Sequence, residues 1–388
     1  MLDEMVIVGA KRTPIGGLNG KLSHLSAIEL GVISHVAAIE QAGIPKDSID
    51  EVFMGCVLSA GLGQAPARQT VIRAGMPQHL PATTINKVCG SGMQALICAH
   101  DSIRSGRHNI VLAGGMESMS NAPYILPKAR RGMRLGHQQC IDSMWFDGLE
   151  DAYEQTLMGC FGELAAKRLN ISRESQDAFA KQSMEKALRA QKNGAFLAEL
   201  AMMTNAEELV IADEQPQEAK LHKLPTLKPV FEKEGTITAG NASSIADGAA
   251  SLVLMTKTQA HALGLKPLAA IKGFSQHAQA PAWFSTAPAI AIKKLLQQLH
   301  WQINDVDLWE INEAFAVVAI AAQQALNIPE ERINIHGGAC ALGHPIGASG
   351  ARIVVTLIHA MLQHQQQHGI AAICIGGGEA LAMAVSLC

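Results

Sequence analysis

The strongest constraint on this 388-residue chain is an internal repeat. Met5-Val-Ile-Val-Gly9, a short apolar run ending in glycine, returns as Leu268-Ala-Ala-Ile-Lys-Gly273. Ile49-Asp-Glu-Val-Phe-Met-Gly55 matches Val306-Asp-Leu-Trp-Glu-Ile-Asn312. Ser91-Gly92 opens an apolar helical pattern, as Ser349-Gly350 does, and Val111-Leu-Ala-Gly-Gly-Met-Glu117 echoes Cys374-Ile-Gly-Gly-Gly-Glu379. A single strand–glycine match carries little weight. Four in the same order imply duplication, and so two similar α/β halves about a pseudo-twofold axis, with a cleft where they meet.

Apolar runs at Met5–Val8, Val52–Met54, Ile110–Leu112, Ser251–Met255, Ala269–Ile271, Asp307–Glu310, Ala371–Ile375 and Leu381–Val385 read as buried strands. Helical patterns fall at Leu25–Ala42, opened by Ser23 or Ser26, and at Gly92–Ser105, Ala287–Leu299 and Ala314–Ala325. Residues 120–244 lack the repeat. They hold a helix over about Ser172–Gln191 and a polar stretch with Pro216, Pro225 and Pro229. The expected division is residues 1–119 plus 245–267 as one half, 120–244 as a loop domain over the cleft, and 268–388 as the other half.

Composition narrows the function classes. With 48% hydrophobic and 17% charged residues the chain is a compact globular protein. A net charge of -3 excludes a general nucleic-acid binder. The basic run Lys128–Arg134 reads as a solvated face, with a docking site for a polyanion or a neighbouring subunit as the sharper reading. Eight cysteines without a CxxC pair point to a reducing compartment, and the fifteen histidines show no HExxH and no ligand spacing beside the cysteines, so no metal site is expected. Asp3 and Glu4 before the first apolar run do not read as a signal peptide. Residues 369–388 are apolar enough to suggest a membrane span, but three glycines and Glu379 make them strand, turn, strand.

Four places carry candidate chemistry. Cys89 lies in Asn86-Lys-Val-Cys-Gly-Ser-Gly-Met93, just before a helix, where free N–H groups favour a thiolate and a lowered pKa. Its bland alternative is a small buried hydrophobe. His344 lies in the glycine-rich Gly337–Gly350 loop, placed to take a proton from Cys89 and return one. Cys374 ends a strand, in the repeat position of Val111, with the glycine N–H groups after it forming an anion pocket. Asn312 and Glu313 stand at a strand-to-helix turn, where the choice is capping or orienting a water toward an oxyanion. One thiolate to accept an acyl group and a second cysteine to act on a carbon acid make a coherent set.

These residues sit in motifs that resemble the thiolases: VGAKRTPIG, NKVCGSG, GGMESMSNAPY, GTITAGNAS followed by DGAA, NEAFA, GHPIGASGAR and CIGGG. The resemblance spans essentially the whole chain. It implies a five-layered αβαβα fold of two halves plus a loop domain. It implies Cys89 as the acyl-accepting nucleophile, and His344 as its activator and, with a water held by Asn312, the stabiliser of an enolate oxygen. Cys374 would be the base or acid at carbon, and the N–H groups of Cys89 and Gly376 a second oxyanion hole. Met158, Phe231, Ala239 and Ser243 would line a coenzyme A tunnel, and no cofactor would be needed, coenzyme A being a substrate. The run Leu126–Gly136 with Asp142-Ser-Met and Asp147-Gly is similar to the tetramerisation loop of short-chain members. That implies condensation of two acetyl-CoA to acetoacetyl-CoA in a cytoplasmic homotetramer of fatty-acid metabolism.

The chain departs from the family pattern at Leu157-Met-Gly-Cys-Phe161, where a histidine and threonines are usual, which alters the expected acyl-pocket wall. Gln217 replaces a nucleotide-contacting arginine, Lys223 a serine and Ala380 a glycine, so Lys223 is expected to supply the positive charge lost at Gln217. The alternatives are a degradative 3-ketoacyl-CoA thiolase acting on longer chains, a β-ketoacyl synthase, whose third residue is histidine or asparagine rather than Cys374, a non-catalytic acyl-CoA or lipid binder, and a redox sensor built on Cys89 and Cys374. No membrane or nucleic-acid partner is expected.

Overall fold

The computed structural model describes residues 3–205 and 208–388; Met1 and Leu2, at the head of the N-terminal run, lie outside them. Along the first half run β1 (Met5–Arg12), α1 (Ala27–Ala42), β2 (Glu51–Gly55), β3 (Ala82–Ile85), α2 (Ser91–Arg104) and β4 (Ile110–Ser118). Helix α1 starts at Ser26, whose hydroxyl and the Glu29 carboxylate form a reciprocal capping box. The middle of the chain contributes α3 (Met158–Arg168) and α4 (Arg173–Lys192) before β5 (Ala246–Thr256) returns to the sheet. The second half supplies β6 (Ala269–Ala278), α5 (Ala287–Leu299), β7 (Leu308–Ile311), α6 (Ala316–Leu326), α7 (Ile346–His364), β8 (His368–Ile375) and β9 (Glu379–Leu387).

The strands form one continuous sheet in the order β7-β8-β9-β6-β1-β5-β4-β2-β3. Reading outward from the centre, β1, β5, β4, β2 on one side correspond to β6, β9, β8, β7 on the other, with the same parallel and antiparallel pairings. A single parallel bridge from Ile333 to Trp309 stands where β3 stands in the first half. The halves join through β1 and β6, where Met5 pairs with Ile271, Val6 with Ala270 and Ile7 with Ala269. These are the residues matched in the repeat, exchanged as a twofold axis requires. Even the bulge is duplicated, between Ile7 and Gly9 and between Ile271 and Gly273.

Register corrects one part of the repeat. Val111 pairs with Glu51 and Gly369 with Leu308, so Gly369 is the counterpart of Val111. Counting five residues on from each, Cys374 occupies the place of Met116 and not of Val111. The offset arose because glycine runs follow both strands at different distances.

Side-chain alternation along the strands sets the layers. One face of the sheet, with Val111, Ala113, Leu252, Leu254, Ala371, Ile373, Leu381 and Met383, packs against α2 and α7. The other face packs on α1 in the first half and on α5 and α6 in the second. The two halves of the sheet lie on either side of the paired central helices, with α1 outside one half and α5 and α6 outside the other: a five-layered αβαβα protein. The central pair touches backbone to backbone. A Cβ on Gly92 would lie 2.7 Å from the Ala351 nitrogen, and one on Gly350 would lie 2.6 Å from the Met93 nitrogen. The apolar, 19-residue α7 is long enough to cross a membrane, but it is buried between the sheets.

Candidate active site

The turn before α2 presents Cys89. Ser91 closes it, accepting from the Lys87 N–H at 2.8 Å and donating to the Val88 carbonyl at 2.7 Å. Val88 is held at φ 46°, a conformation β-branched residues avoid, so the turn stores strain beside the sulfur. The N–H groups of Gly376 and of Cys89 itself, the pair expected to form an anion hole, act on the Cys89 sulfur to lower its pKa. The thiol is nevertheless not acidified. Burial pushes its pKa up to about 11, with the Glu117 charge adding to the effect, against those two N–H groups. The thiolate expected at a helix terminus is thus overturned: Cys89 stands one residue before the Gly90 N-cap, in a low-dielectric site, and burial wins.

His344 faces it from the second half. Its backbone N–H donates to the Ser244 carbonyl at 2.9 Å, anchoring the loop. Nδ1 lies 2.6 Å from the Ser349 hydroxyl, which donates its only proton to the Pro345 carbonyl at 2.9 Å. Ser349 therefore accepts from Nδ1–H, and Nε2 keeps its lone pair. Burial, with a smaller contribution from Arg352, holds the imidazole pKa down at about 3, so His344 is neutral and its Nε2 is a base. The Asn312 amide nitrogen is 3.4 Å from Nε2, while the buried Asn312 oxygen has no hydrogen-bond partner among the described residues. Neither Asn312 nor Glu313 caps α6, whose N-cap is Phe315. Glu313 orients no oxyanion either: it accepts from Asn334 at 2.7 Å, Ser183 at 2.7 Å and the Cys340 N–H at 3.0 Å, tying α4 and the His344 loop to the end of β7.

Cys374 is the penultimate residue of β8, opposite Ala380 of β9, fully buried. Burial raises its pKa well above the ordinary thiol value, and the neighbouring Cys89 raises it further. Cys89, His344, Cys374 and Gly376 line one narrow cavity with Met158 and Ser243. Leu149, Phe284, Phe315 and Ile346 complete an apolar wall.

The other expected ligand-binding residues divide. Ala239 and Lys223 line a second cavity, next to Ser244 and Lys220, on the far side of the 239–244 loop. Phe231 packs edge-on to Phe315, ring centroids 5.9 Å apart. Leu157 and Phe161 do not line the reactive cavity as expected: Leu157 is the N-cap of α3, and Phe161 is packed behind with Ile237 and Phe284, because α3 turns Met158 inward instead. Gln217 lines neither cavity; its amide donates to the Glu214 carbonyl at 3.3 Å. Two residues inside the quoted motifs were not singled out as part of the site: Ser349, which sets the His344 tautomer, and Glu117, whose carboxylate meets the second half. A serine five residues after a histidine at a helix start is the one clue to the first.

Known proteins agree with this geometry. The description "Thiolase, N-terminal domain" matches residues 5–258, and "Thiolase, C-terminal domain" matches residues 265–387. A probable acetyl-CoA acetyltransferase of Dictyostelium discoideum is 47% identical over 387 residues, 98% of this chain and 94% of that protein. A probable acetyl-CoA acyltransferase of Staphylococcus aureus is 43% identical, with 99% of each chain covered. The crystal structure of the Acat5 thiolase from Ascaris suum in complex with coenzyme A superimposes with a TM-score of 0.95 at 42% identity, over 99% of this chain and 100% of that one. With the two cysteines and the histidine gathered in one cavity of a duplicated αβαβα scaffold, the chain belongs to the thiolase family of acyltransferases.

Proposed function

We propose that this thiolase is an acetyl-CoA C-acetyltransferase, interconverting two acetyl-CoA with acetoacetyl-CoA and coenzyme A. The observation that carries the reading is the single cavity shared by Cys89, neutral His344, Cys374 and the Gly376 N–H. His344 Nε2 takes the Cys89 proton as the sulfur attacks the acetyl thioester. The bond to coenzyme A breaks, and the departing thiolate takes the Cys374 proton. The acyl oxygen rests on the N–H groups of Cys89 and Gly376. Cys374, now a thiolate whose buried setting makes it strongly basic, removes a proton from C2 of the second acetyl-CoA. Protonated His344 and a water held by Asn312 stabilise the enolate oxygen. The carbanion attacks the acyl carbonyl, Cys89 leaves as thiolate, and His344 returns its proton.

The 120–244 segment serves as the substrate and assembly surface. Lys220 and Lys223 at the second cavity suit the anionic end of coenzyme A, the charge coming from these lysines and not from position 217. Tyr124, Leu126, Met133, Leu135, Trp145 and Phe146 are exposed together around the basic run, as a tetramer-forming loop requires. Eight free cysteines suit a cytoplasmic enzyme. No metal or redox group enters the steps.

Mass spectrometry after incubation with acetyl-CoA tests the reading: an acetyl group on Cys89 is expected, and its absence from an intact, folded protein sinks it. A panel of 3-ketoacyl-CoA substrates decides the acyl length. The apolar wall of Leu149, Met158, Phe284 and Ile346 favours, as the second reading, a 3-ketoacyl-CoA thiolase for longer chains.

A further inference from the structure

One fully buried carboxylate takes no part in these steps. Glu117 lies at the end of β4, and its two oxygens are held by backbone groups from both halves of the molecule. Oε1 accepts from the Leu58 N–H at 3.1 Å. Oε2 accepts from Val57 N–H at 3.0 Å and from Gly347 N–H at 2.9 Å. The first two donors belong to the loop after β2. The third lies in the first turn of α7, where N–H groups have no partner inside the helix. The fit leaves no slack, since a Cβ on Gly347 would lie 2.6 Å from Oε2.

That turn matters because of what flanks it. Three residues before Gly347 is His344, and two residues after it is Ser349, which fixes the imidazole. Val57 and Leu58, the other residues held, pack with Ile346, Leu149 and Cys89 beneath the reactive cavity. Burial lifts the carboxyl to about 7, against the three backbone N–H groups that hold it. The titratable groups facing it are Cys56, 3.8 Å from Oε1, and Cys89.

We propose that Glu117 is a positioning residue for the Cys89–His344 pair, capping α7 from the opposite half through Gly347 and thereby holding His344 at the nucleophile. The inference rests on the assignment of Cys89 and His344 above. If it holds, Glu117 acts through His344, and its removal is felt only when His344 is present.

The test is a double-mutant cycle on the full-length enzyme, read by acetoacetyl-CoA thiolysis and by the rate of Cys89 acetylation from acetyl-CoA. Glu117→Ala is expected to lower kcat by about 30- to 300-fold with KM changed less than about threefold, a loss within the range of general-base catalysis. In a His344→Ala background the same substitution should cost less than about threefold. Glu117→Gln keeps an acceptor for Val57 and Gly347 but turns an NH2 toward the Leu58 N–H; it should cost about three- to tenfold, again only when His344 is present. If Glu117→Ala does not fold, the Gln cycle decides alone. Equal losses in both backgrounds, or no loss beside His344, overturn the proposal. A His344→Ala enzyme as active as the parent would instead overturn the site assignment itself.

Discussion

The two central helices are built alike and equipped differently. They cross at Gly92 and Gly350, and three residues before each crossing glycine stand Cys89 and Gly347. On the first-half side a strained turn lifts a sulfur into the cavity. At the matching place on the second-half side there is no side chain at all, and the reactive group, His344, comes from the loop just ahead of the helix. Duplication supplied two equivalent helix starts. The proposed mechanism calls for a nucleophile and a base facing each other; one start carries the thiol, and at the other the missing side chain leaves room for Glu117.

The sharpest break of that comparison is removal of the nucleophile. Cys89→Ser should abolish the acetyl adduct and lower turnover by about 10³-fold or more, measured by thiolysis and intact mass. Cys374→Ala should separate the half-reactions: Cys89 still becomes acetylated, while condensation falls by about 10²- to 10⁴-fold. An enzyme that loses both alike contradicts separate roles for the two sulfurs. The resting protonation state comes next. Because burial holds Cys89 at about 11, its alkylation by iodoacetamide, followed on the Cys89 peptide, should rise about tenfold per pH unit from 7 to 10. A plateau by pH 8 means that the helix terminus dominates after all. The symmetric crossing predicts a stability effect. Gly350→Ala drives a methyl into the Met93 backbone and should cost about 1–3 kcal/mol or more, seen as a lower Tm; Gly92→Ala should cost a similar amount. The smallest effect is expected at the periphery, where Lys223→Ala should raise KM for coenzyme A about two- to fivefold and leave kcat alone.

Much of this was legible beforehand where a pattern repeats or a motif is long. The eight apolar runs all became strands, Ala287–Leu299 is a helix over the expected span, and Cys89, His344, Cys374 and Asn312 converge. Strand β3 was missed because Ala82-Thr-Thr-Ile85 is short, polar and half exposed at the sheet edge, without an apolar run to betray it. Local pattern misjudged the Cys89 pKa for a different reason. A helix start is visible in sequence, while the enclosure that outweighs it is assembled from residues as distant as Phe284 and Cys374. The same holds for Glu117, whose partner Gly347 is 230 positions away.

The β1–β6 pairing has a consequence for access. Three register pairs carry the sheet across the pseudo-twofold axis, and the helices behind it interlock backbone to backbone. Among the described residues the halves are joined by continuous strand pairing and close helix packing, not by a flexible connection. Access to the cavity therefore does not call for parting the halves; the share of its lining contributed by residues 120–244 is Gly148, Leu149, Met158 and Ser243.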